Sequence, residues 1–309
     1  MRVIITGGTG FLGSRLAESL AADGHEVIVL SRSPEKGRAR FKGAVRVEQW
    51  DGKTAAGWGG LADGADAIVN LAGESIAGEG IPPARWTPAR KRRILESRLN
   101  AGAAVIEAIR AAAQKPKVLL QGSAVGYYGP RGDEPVTEET GPGTDFLARV
   151  CVEWEDAVSE AAGLGVRTVY LRTGLPISPQ GGVFPLVLLP FRLFVGGPLG
   201  SGRQYFPWIH IDDHIRAMRF LLEHPEASGP FNLSAPEPVT NRELSRAIGR
   251  VMGRPSFFAV PAFVLKLALG ELSTLVLEGQ RQLPSRLQAL GFAFRFPQLE
   301  GALRDLLGK

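Results

Sequence analysis

The segment from Thr6 to Gly13 has the residue types and the spacing of a loop that holds phosphate groups. Its glycines at positions 7, 10 and 13 follow an apolar run, Val3-Ile4-Ile5, and open a helical pattern. Glycines permit a tight turn and close approach of a pyrophosphate, and the free N–H groups and positive dipole end of the next helix bind its charge. The strand, glycines and helix predict a dinucleotide site, with an ordinary glycine-rich turn as the alternative.

The end of the second apolar run indicates which dinucleotide is bound. An NAD site usually has an Asp or Glu about 20 residues further on, against the ribose 2′-hydroxyl. Here the run ends Leu30-Ser31-Arg32-Ser33, with no acidic residue. Arginine can pair with a 2′-phosphate and serine can donate a hydrogen bond to it. We therefore predict NADP(H) as the cofactor, unless Arg32 is simply a solvated loop residue.

Three hydroxyl-bearing residues follow another apolar run, Val118 to Gln121. Ser123, Tyr127 and Tyr128 are expected at the carboxyl edge of the sheet, where α/β proteins bind ligands. A phenol without a neighbouring lysine keeps a pKa near its usual value of about 10 and is a poor base, but it can still protonate a developing oxyanion. We prefer Tyr128 for that role; tyrosines that merely pack an apolar loop are the alternative.

The segment from Gly196 to His210 is the candidate wall of a substrate pocket. Its glycines allow a ligand to approach the backbone, and four other side chains offer charge, hydrogen bonds and a stacking surface. These predicted substrate-binding residues are Arg203, Gln204, Trp208 and His210. A structural loop that joins two domains is an equally good interpretation.

Metal and thiol chemistry are not predicted. His210 and His214 with Asp212 and Asp213 have a metal-like spacing, but they lead into a helix, so that either aspartate is better interpreted as its N-cap. Cys151 lies on an apolar helical face with no histidine nearby in sequence, which is typical of a buried structural thiol.

The elements that must position these residues follow an alternating pattern. Short apolar runs, each followed by a helical pattern, indicate strands buried on both faces of a parallel sheet, hence a doubly wound α/β fold. The predicted strands are residues 3–5, 27–30, 45–47, 67–72, 118–121, 166–171 and 231–233. We predict a dinucleotide-binding domain at 1–174, to which 208–235 return, and an interleaved, smaller substrate domain at 175–207 and 236–309.

Composition excludes several classes. The 309 residues are 44% hydrophobic and 22% charged, which is too apolar for a disordered chain, and the one cysteine cannot build a disulfide framework. A net charge of +5 is mild, and the basic cluster at 85–93 is the exposed start of an amphipathic helix, so no nucleic-acid partner is expected.

The sequence also allows predictions about membrane spans, targeting signals and oligomeric state. The apolar segments 183–197 and 262–277 are interrupted by charges, prolines or glycine, so no membrane span is expected. The first residues run directly into a strand and leave no room for a signal peptide, so we expect a soluble, cytoplasmic protein. The C-terminal helices are rich in Leu and Phe and are compatible with a homodimer.

The motifs together resemble a known family. Besides the loop, they are Asn70–Glu74, Arg85-Trp86-Thr87, Ser97-Arg98, Ser123–Gly129, Asp145–Ala148, Trp154-Glu155, Gly196–Gly202, Phe206–His210, and Gln280 with Pro284. In this order they are similar to an atypical branch of the extended short-chain dehydrogenase/reductases, the sugar-nucleotide-epimerase-like proteins of the NAD-dependent epimerase/dehydratase family. The resemblance implies a Rossmann-type domain that binds NADP(H), and a small C-terminal substrate domain.

The resemblance also implies site residues. It places Ser123 near the substrate-polarising serine and one tyrosine near the nicotinamide, and the helix after the Leu71–Gly73 turn can direct Arg93 or Arg98 to the cofactor. The predicted cofactor-binding residues are Gly7, Gly10, Phe11, Leu12, Gly13, Ser31, Arg32, Leu71, Ala72, Gly73, Arg93, Arg98 and Pro176.

The family's usual catalytic pair is missing. Short-chain dehydrogenases use a Tyr and a Lys four residues apart on one helix face, where the ammonium lowers the phenol pKa. The corresponding segment, 144–155, contains neither residue. Three hypotheses remain: an NADP(H)-dependent oxidoreductase of an unknown small molecule, a nucleotide-sugar epimerase or dehydratase, and a non-catalytic NADPH-sensing protein.

Overall fold

The computed structural model describes residues 1–78, 80 and 83–308. Its strands are β1 (Arg2–Thr6), β2 (Glu26–Ser31), β3 (Arg46–Gln49), β4 (Ala67–Asn70), β5 (Val118–Ala124), β6 (Pro135–Val136), β7 (Arg167–Thr173), β8 (Leu175–Ile177), β9 (Tyr205–Phe206), β10 (Trp208–His210), β11 (Gly229–Leu233), β12 (Val239–Thr240) and β13 (Arg281–Gln282).

The α-helices connect these strands. They are α1 (Phe11–Ala22), α2 (Pro34–Phe41), α3 (Pro88–Ala111), α4 (Phe146–Asp156), α5 (Glu160–Gly163), α6 (Phe184–Arg192), α7 (Ile211–Glu223), α8 (Asn241–Met252), α9 (Ala262–Leu269), α10 (Thr274–Leu277), α11 (Ser285–Ala289) and α12 (Leu299–Leu307). Short 3₁₀ helices lie at Gly59–Ala62, Val125–Tyr128 and Gly270–Ser273.

The central sheet has seven strands in the order β11-β7-β5-β4-β1-β2-β3, and every pair is parallel. Strand order therefore reverses between β1 and β4, because the chain runs outward from β1 to β3 and then returns to the other side. In open α/β sheets the crevice beyond the carboxyl ends at such a reversal is where ligands bind. The predicted Rossmann-type doubly wound fold is confirmed.

The sheet is buried on both faces, as its continuous apolar strands predict. On one face, α1 and α7 pack with the odd-numbered positions of β1, such as Val3 and Ile5, in one apolar cluster. On the other face, α3 packs with Ile4 of β1 and Ile68 of β4. Because side chains pack closely on both faces of the sheet, the carboxyl ends of the strands are held at fixed positions relative to each other.

A third apolar cluster lies outside the seven-stranded sheet. It is formed by α6, α8 and α12 together with Trp208 of β10 and Ile177 of β8. β10 pairs in parallel with β8, and β12 pairs with β9 in antiparallel orientation. We call the part built by α6, α8, α9 and α12 the cap. The predicted division into a dinucleotide-binding domain and a substrate domain stays a prediction.

The start of α7 differs from the sequence-based expectation. We predicted Asp212 or Asp213 as the N-cap, but the N-cap is His210, whose Nδ1 accepts from the Asp212 N–H. Asp213 is fully buried and accepts the backbone N–H groups of Arg295 and Phe296. It therefore anchors the C-terminal segment to α7, a long-range role that local capping preference does not reveal.

Candidate functional site

The glycine loop has no room for side chains. Gly7 adopts a left-handed backbone, φ +65°, and a Cβ there would lie 2.8 Å from the Leu71 backbone. A Cβ on Gly13 would lie 2.5 Å from the Gly7 carbonyl oxygen. α1 begins at Phe11 with Gly10 as its N-cap, and no side chain caps this end. The first N–H groups of a helix have no intrahelical partner, so this end presents donors and positive dipole at the sheet reversal.

The end of β2 presents a positive charge close to the loop. Ser31 is buried, and its hydroxyl accepts the Ser33 N–H at 3.1 Å. Arg32 is exposed and forms no ion pair within the described residues; its stem lies over Gly52. The predicted selectivity residue is therefore free to contact an anionic group beside the loop, and that contact stays a prediction.

The other predicted cofactor residues line the neighbouring strand ends. Gly7 approaches the Leu71–Ala72 backbone, and Gly73 approaches the guanidinium of Arg98. Pro176 is partly exposed on β8, and a Cβ added at Gly182 would lie 3.6 Å from its carbonyl oxygen and 3.2 Å from the Phe11 ring. The structure thus brings the segments 71–73 and 176–182 to the start of α1.

The two arginines of α3 have different environments. Arg98 is buried over the Trp154 ring and donates to the Glu74 carbonyl oxygen at 3.1 Å; burial lowers its pKa to about 10. Its Nε has no hydrogen-bond partner among the described residues. Arg93 is exposed and pairs with the Glu74 carboxylate. Arg98 is therefore a fixed part of the site's floor, and Arg93 is a charge at its surface.

A buried polar network occupies the carboxyl ends of β5 and β7. Ser123 donates its hydroxyl hydrogen to Glu155 Oε1 at 2.6 Å. Arg172 donates to both carboxylate oxygens of Glu155, each at 2.9 Å. Such a bidentate pair is strong and directional. Ser123 is therefore bound to Glu155 in this structure, and does not donate into the crevice.

The two tyrosines are placed differently, which corrects our preference for Tyr128. Tyr128 is fully buried and its hydroxyl donates to Asn232 at 2.6 Å; burial raises its pKa to about 12. Tyr127 is partly exposed, and its ring lies 3.4 Å from the guanidinium carbon of Arg172. No hydrogen bond of the Tyr127 hydroxyl is found within the described residues. Tyr127 is thus the phenol that can meet a ligand.

The predicted substrate wall is only partly at the surface. Trp208 and His210 are buried in the cap: the Trp208 indole donates to the Glu237 carbonyl oxygen, and His210 stacks on Phe296. In this structure neither ring is available to a substrate, because Trp208 packs in the third apolar cluster and His210 caps α7. Gln204 is half-buried and its amide donates to two backbone carbonyl oxygens, whereas Arg203 is exposed.

Sequence reasoning missed Arg172 and gave Glu155 no role. Their pairing joins β7 to α4, which no local spacing reveals. The available signal was a charged residue near the end of an apolar strand, because a buried charge requires a partner. Cys151, by contrast, is buried as expected, and burial raises its pKa to about 12, which argues against a nucleophile.

Two further features bear on the predicted partners. Within the described residues, no group of three or more His, Cys, Asp or Glu side chains is arranged to hold a metal ion. None of the described helices is both long enough and apolar enough to cross a membrane. The cytoplasmic location and the homodimer stay predictions.

Comparisons with known proteins agree with this architecture. The model of the NAD dependent epimerase/dehydratase family matches residues 3–234, and a domain of unknown function (DUF1731) matches residues 260–306. The chain therefore belongs to the NAD dependent epimerase/dehydratase family. It is 39% identical over 308 residues to epimerase family protein YfhF of Bacillus subtilis, covering 99% of this chain and 98% of that protein.

Solved structures give a similar result. The human epimerase family protein SDR39U1, solved with NADPH, is 36% identical with a TM-score of 0.89, and each chain is covered completely. A nucleoside-diphosphate sugar epimerase from Corynebacterium glutamicum is 34% identical with a TM-score of 0.79; the match covers 100% of this chain and 58% of that one. The chain thus resembles extended short-chain dehydrogenase/reductases over its whole length.

Proposed function

We propose that this protein is an NADP(H)-dependent oxidoreductase that acts on a small carbonyl or enone compound. The observation that carries the proposal is the glycine loop at residues 7–13, which has no space for side chains and meets the start of α1 at the sheet reversal. The similarity to human SDR39U1, whose structure contains NADPH, supports the choice of cofactor.

The residues at this edge fit a dinucleotide phosphate. The loop and the first turn of α1 would hold the pyrophosphate with backbone N–H groups. Arg32, with Ser31 beside it, would hold the 2′-phosphate, because a guanidinium makes charge-assisted hydrogen bonds to phosphate oxygens. When bound, the nicotinamide supplies or accepts a hydride.

Tyr127 is our choice as the proton donor. It is the partly exposed tyrosine of the pair, and its ring lies against Arg172, which the Glu155 carboxylate holds in place. In the reductive direction, the Tyr127 hydroxyl would give its proton to the oxyanion that develops on the substrate. Water then returns a proton to the phenolate. Arg172 acts as a positioning residue.

A second candidate is a non-catalytic NADPH-responsive protein. It is favoured by the hydrogen bond from Ser123 to Glu155, because a serine engaged in this way cannot also donate its proton to a substrate. In this case the intact loop binds the dinucleotide, and the cap reports its presence to a partner.

Calorimetric titration of NADPH and NADH, followed by turnover with a carbonyl and enone panel, separates these possibilities. NADPH-selective binding with turnover supports the oxidoreductase. Equally tight binding without any turnover favours the sensor. An absence of binding to either dinucleotide overturns both candidates. Binding of a UDP-sugar together with NAD(H) would instead revive the epimerase hypothesis.

A further inference from the structure

The cap exposes a set of large apolar side chains that no other element covers within the described residues. The most exposed are Leu267 at 77%, Phe257 at 73%, Phe263 at 70% and Leu193 at 63%. We call the whole set the apolar cap surface; its residues are Leu193, Phe194, Val195, Phe257, Phe258, Phe263, Val264 and Leu267. Single exposed apolar residues are common, but a group of this size marks an interaction site.

Two of the chain segments that form this surface lie side by side. The Phe258 N–H donates to the Gly196 carbonyl oxygen at 3.1 Å, and the Val260 N–H donates to that of Pro198 at 3.0 Å. The guanidinium of Arg254 lies 4.1 Å from the ring centre of Phe194. Segments 193–198 and 254–260 are therefore neighbours, and the second leads directly into α9.

Packing inside the protein does not explain why α9 is apolar. Its sequence, Ala-Phe-Val-Leu-Lys-Leu-Ala-Leu, has one charged residue, yet every residue of the helix is at least partly exposed. A helix that is apolar all round is normally buried. Phe194 is unusual as well, since it is exposed in a left-handed conformation, φ +61°, which non-glycine residues rarely adopt.

The segments that form this surface contain only positive charges, and Glu271, just after α9, is paired with Lys91. Segments 183–198 and 246–268 contain four arginines and one lysine, Arg192, Arg246, Arg250, Arg254 and Lys266, and no acidic residue. Three of these arginines and Phe257 line an open depression of about 460 Å³. Arg250 is paired with Glu300 of α12, whereas Arg246 forms no ion pair within the described residues. Apolar groups and unneutralised cations thus meet in one place.

We propose that the apolar cap surface docks on a membrane surface that contains anionic phospholipids. Phenylalanine and leucine side chains would enter the boundary between headgroups and acyl chains, and the arginines would pair with lipid phosphates. A second copy of the chain is a less suitable partner for this surface. In a two-fold dimer the surface would face its own copy, so the same arginines would lie opposite each other and repel. The inference is independent of the reaction.

The test is co-sedimentation of the full-length protein, with NADPH present, with two kinds of vesicle. One contains phosphatidylcholine alone, and the other contains about one third phosphatidylglycerol. We expect binding only to the anionic vesicles, and weaker binding at high salt because exposed charges are screened. No binding to anionic vesicles, or equal binding to both kinds, would overturn the proposal.

Substitutions test whether residues of this surface cause the binding to vesicles. Arg246→Gln/Arg254→Gln removes two cations and should weaken binding about 30-fold, and Phe257→Ser/Leu267→Ser should weaken it at least about 10-fold. The matched control, Arg92→Gln/Arg149→Gln, removes two exposed arginines on α3 and α4 and should bind like the wild type. A control that binds as weakly as the cap variants would contradict the assignment to this surface.

A second copy of the chain and a soluble anion are the two alternatives to a membrane, and each predicts a different result. Analytical ultracentrifugation shows whether the protein dimerises; a dimer that Phe257→Ser/Leu267→Ser abolishes, without vesicle binding, would replace the membrane by a second copy. Glycerol phosphate tests for a free-anion site. If it displaces the protein from vesicles completely, and the apolar substitutions have no effect, the depression binds a soluble anion and the proposal is wrong.

Discussion

Arg172 and Glu155 form a bidentate ion pair at the carboxyl end of the sheet, with Nε and Nη2 each 2.9 Å from a carboxylate oxygen. Both side chains are buried. Burial alone lowers the pKa of Arg172, but the hydrogen bonds and the charge of Glu155 raise it above its ordinary value. Glu155 also accepts a hydrogen bond from Ser123, and the Tyr127 ring lies against Arg172. It therefore fixes the geometry of the candidate catalytic edge.

Breaking this pair should destabilise the protein strongly. Glu155→Leu leaves the Arg172 charge buried without a counterion, so we expect the free energy of unfolding to fall by about 3–5 kcal/mol. Urea unfolding measures this change. The matched control is Glu153→Leu, which breaks the more exposed pair with Arg149 and should cost less than about 1 kcal/mol. Similar losses in the two variants would contradict the role of burial.

The two adjacent tyrosines should respond differently to loss of the hydroxyl group. Tyr127→Phe removes the proposed proton donor and should lower kcat about 100-fold or more, with unchanged thermal stability and NADPH affinity. Tyr128→Phe removes a buried hydrogen bond to Asn232 and should lower the free energy of unfolding by about 1–2 kcal/mol. Full activity of Tyr127→Phe would exclude this residue as the acid.

The sheet could be predicted from the sequence because its information is local. Continuous apolar runs predict strands buried on both faces, and each predicted run overlaps an observed strand. β5, for instance, extends the predicted run 118–121 to Ala124. The glycine loop was recognisable for the same reason, since the strand, the glycines and the helix are contiguous. Both predictions therefore depend only on residues that are close together in the sequence.

The arrangement of the cap could not be predicted in this way. Trp208 and His210 have the residue types of a ligand pocket, yet tertiary packing buries both of them. Tyr127 and Tyr128 are adjacent, and it is Tyr128 whose hydroxyl bonds Asn232 of β11, a strand far along the chain. Residue type and spacing do not specify such contacts, because they depend on how separate elements pack.

The tight packing of the glycine loop should make it intolerant of a methyl group. A Cβ on Gly13 would lie 2.5 Å from the Gly7 carbonyl oxygen, so Gly13→Ala must displace the loop from α1. We expect loss of NADPH binding and a free energy of unfolding lower by about 1–3 kcal/mol. Calorimetry and urea unfolding measure the two effects.

A second helical glycine provides the control for this substitution. Gly301 lies in α12, and a Cβ added to it would have nothing within 4 Å. Gly301→Ala should therefore leave NADPH binding unchanged and stabilise the protein by up to about 1 kcal/mol, because alanine has the higher helix propensity. Normal NADPH affinity in Gly13→Ala would show that the phosphates are not bound at this loop.

Charge reversal at Arg32 should change the preference between the two dinucleotides. Arg32→Asp replaces the proposed partner of the 2′-phosphate, so NADPH affinity should fall about 10- to 100-fold. NADH affinity should be retained, since a carboxylate at this place can accept from the ribose 2′-hydroxyl. Calorimetry with both dinucleotides measures the ratio. Arg149→Asp makes the same change of charge on α4 and should leave the affinity ratio unchanged. An equal effect of both substitutions would mean that the overall charge, and not a contact at Arg32, sets the preference.

His214 should make the protein sensitive to acid. The ring is fully buried beside Thr173, and burial lowers its pKa to about 3. The unfolded chain takes up this proton near its ordinary pKa of about 6.5, so the unfolded state binds one more proton between these values. The stability from the neutral ring is therefore complete above about pH 6.5 and is lost as the pH falls, by about 1.4 kcal/mol per pH unit.

This contribution can be isolated with two histidine substitutions. His214→Gln removes the titrating ring, so its free energy of unfolding in urea should fall less steeply between about pH 6 and about pH 4 than that of the wild type. His25→Gln is the control, because that ring lies at the surface beside the amino group of Met1. It should retain the wild-type slope. If His214→Gln also retained it, acid destabilisation would have to originate in other groups.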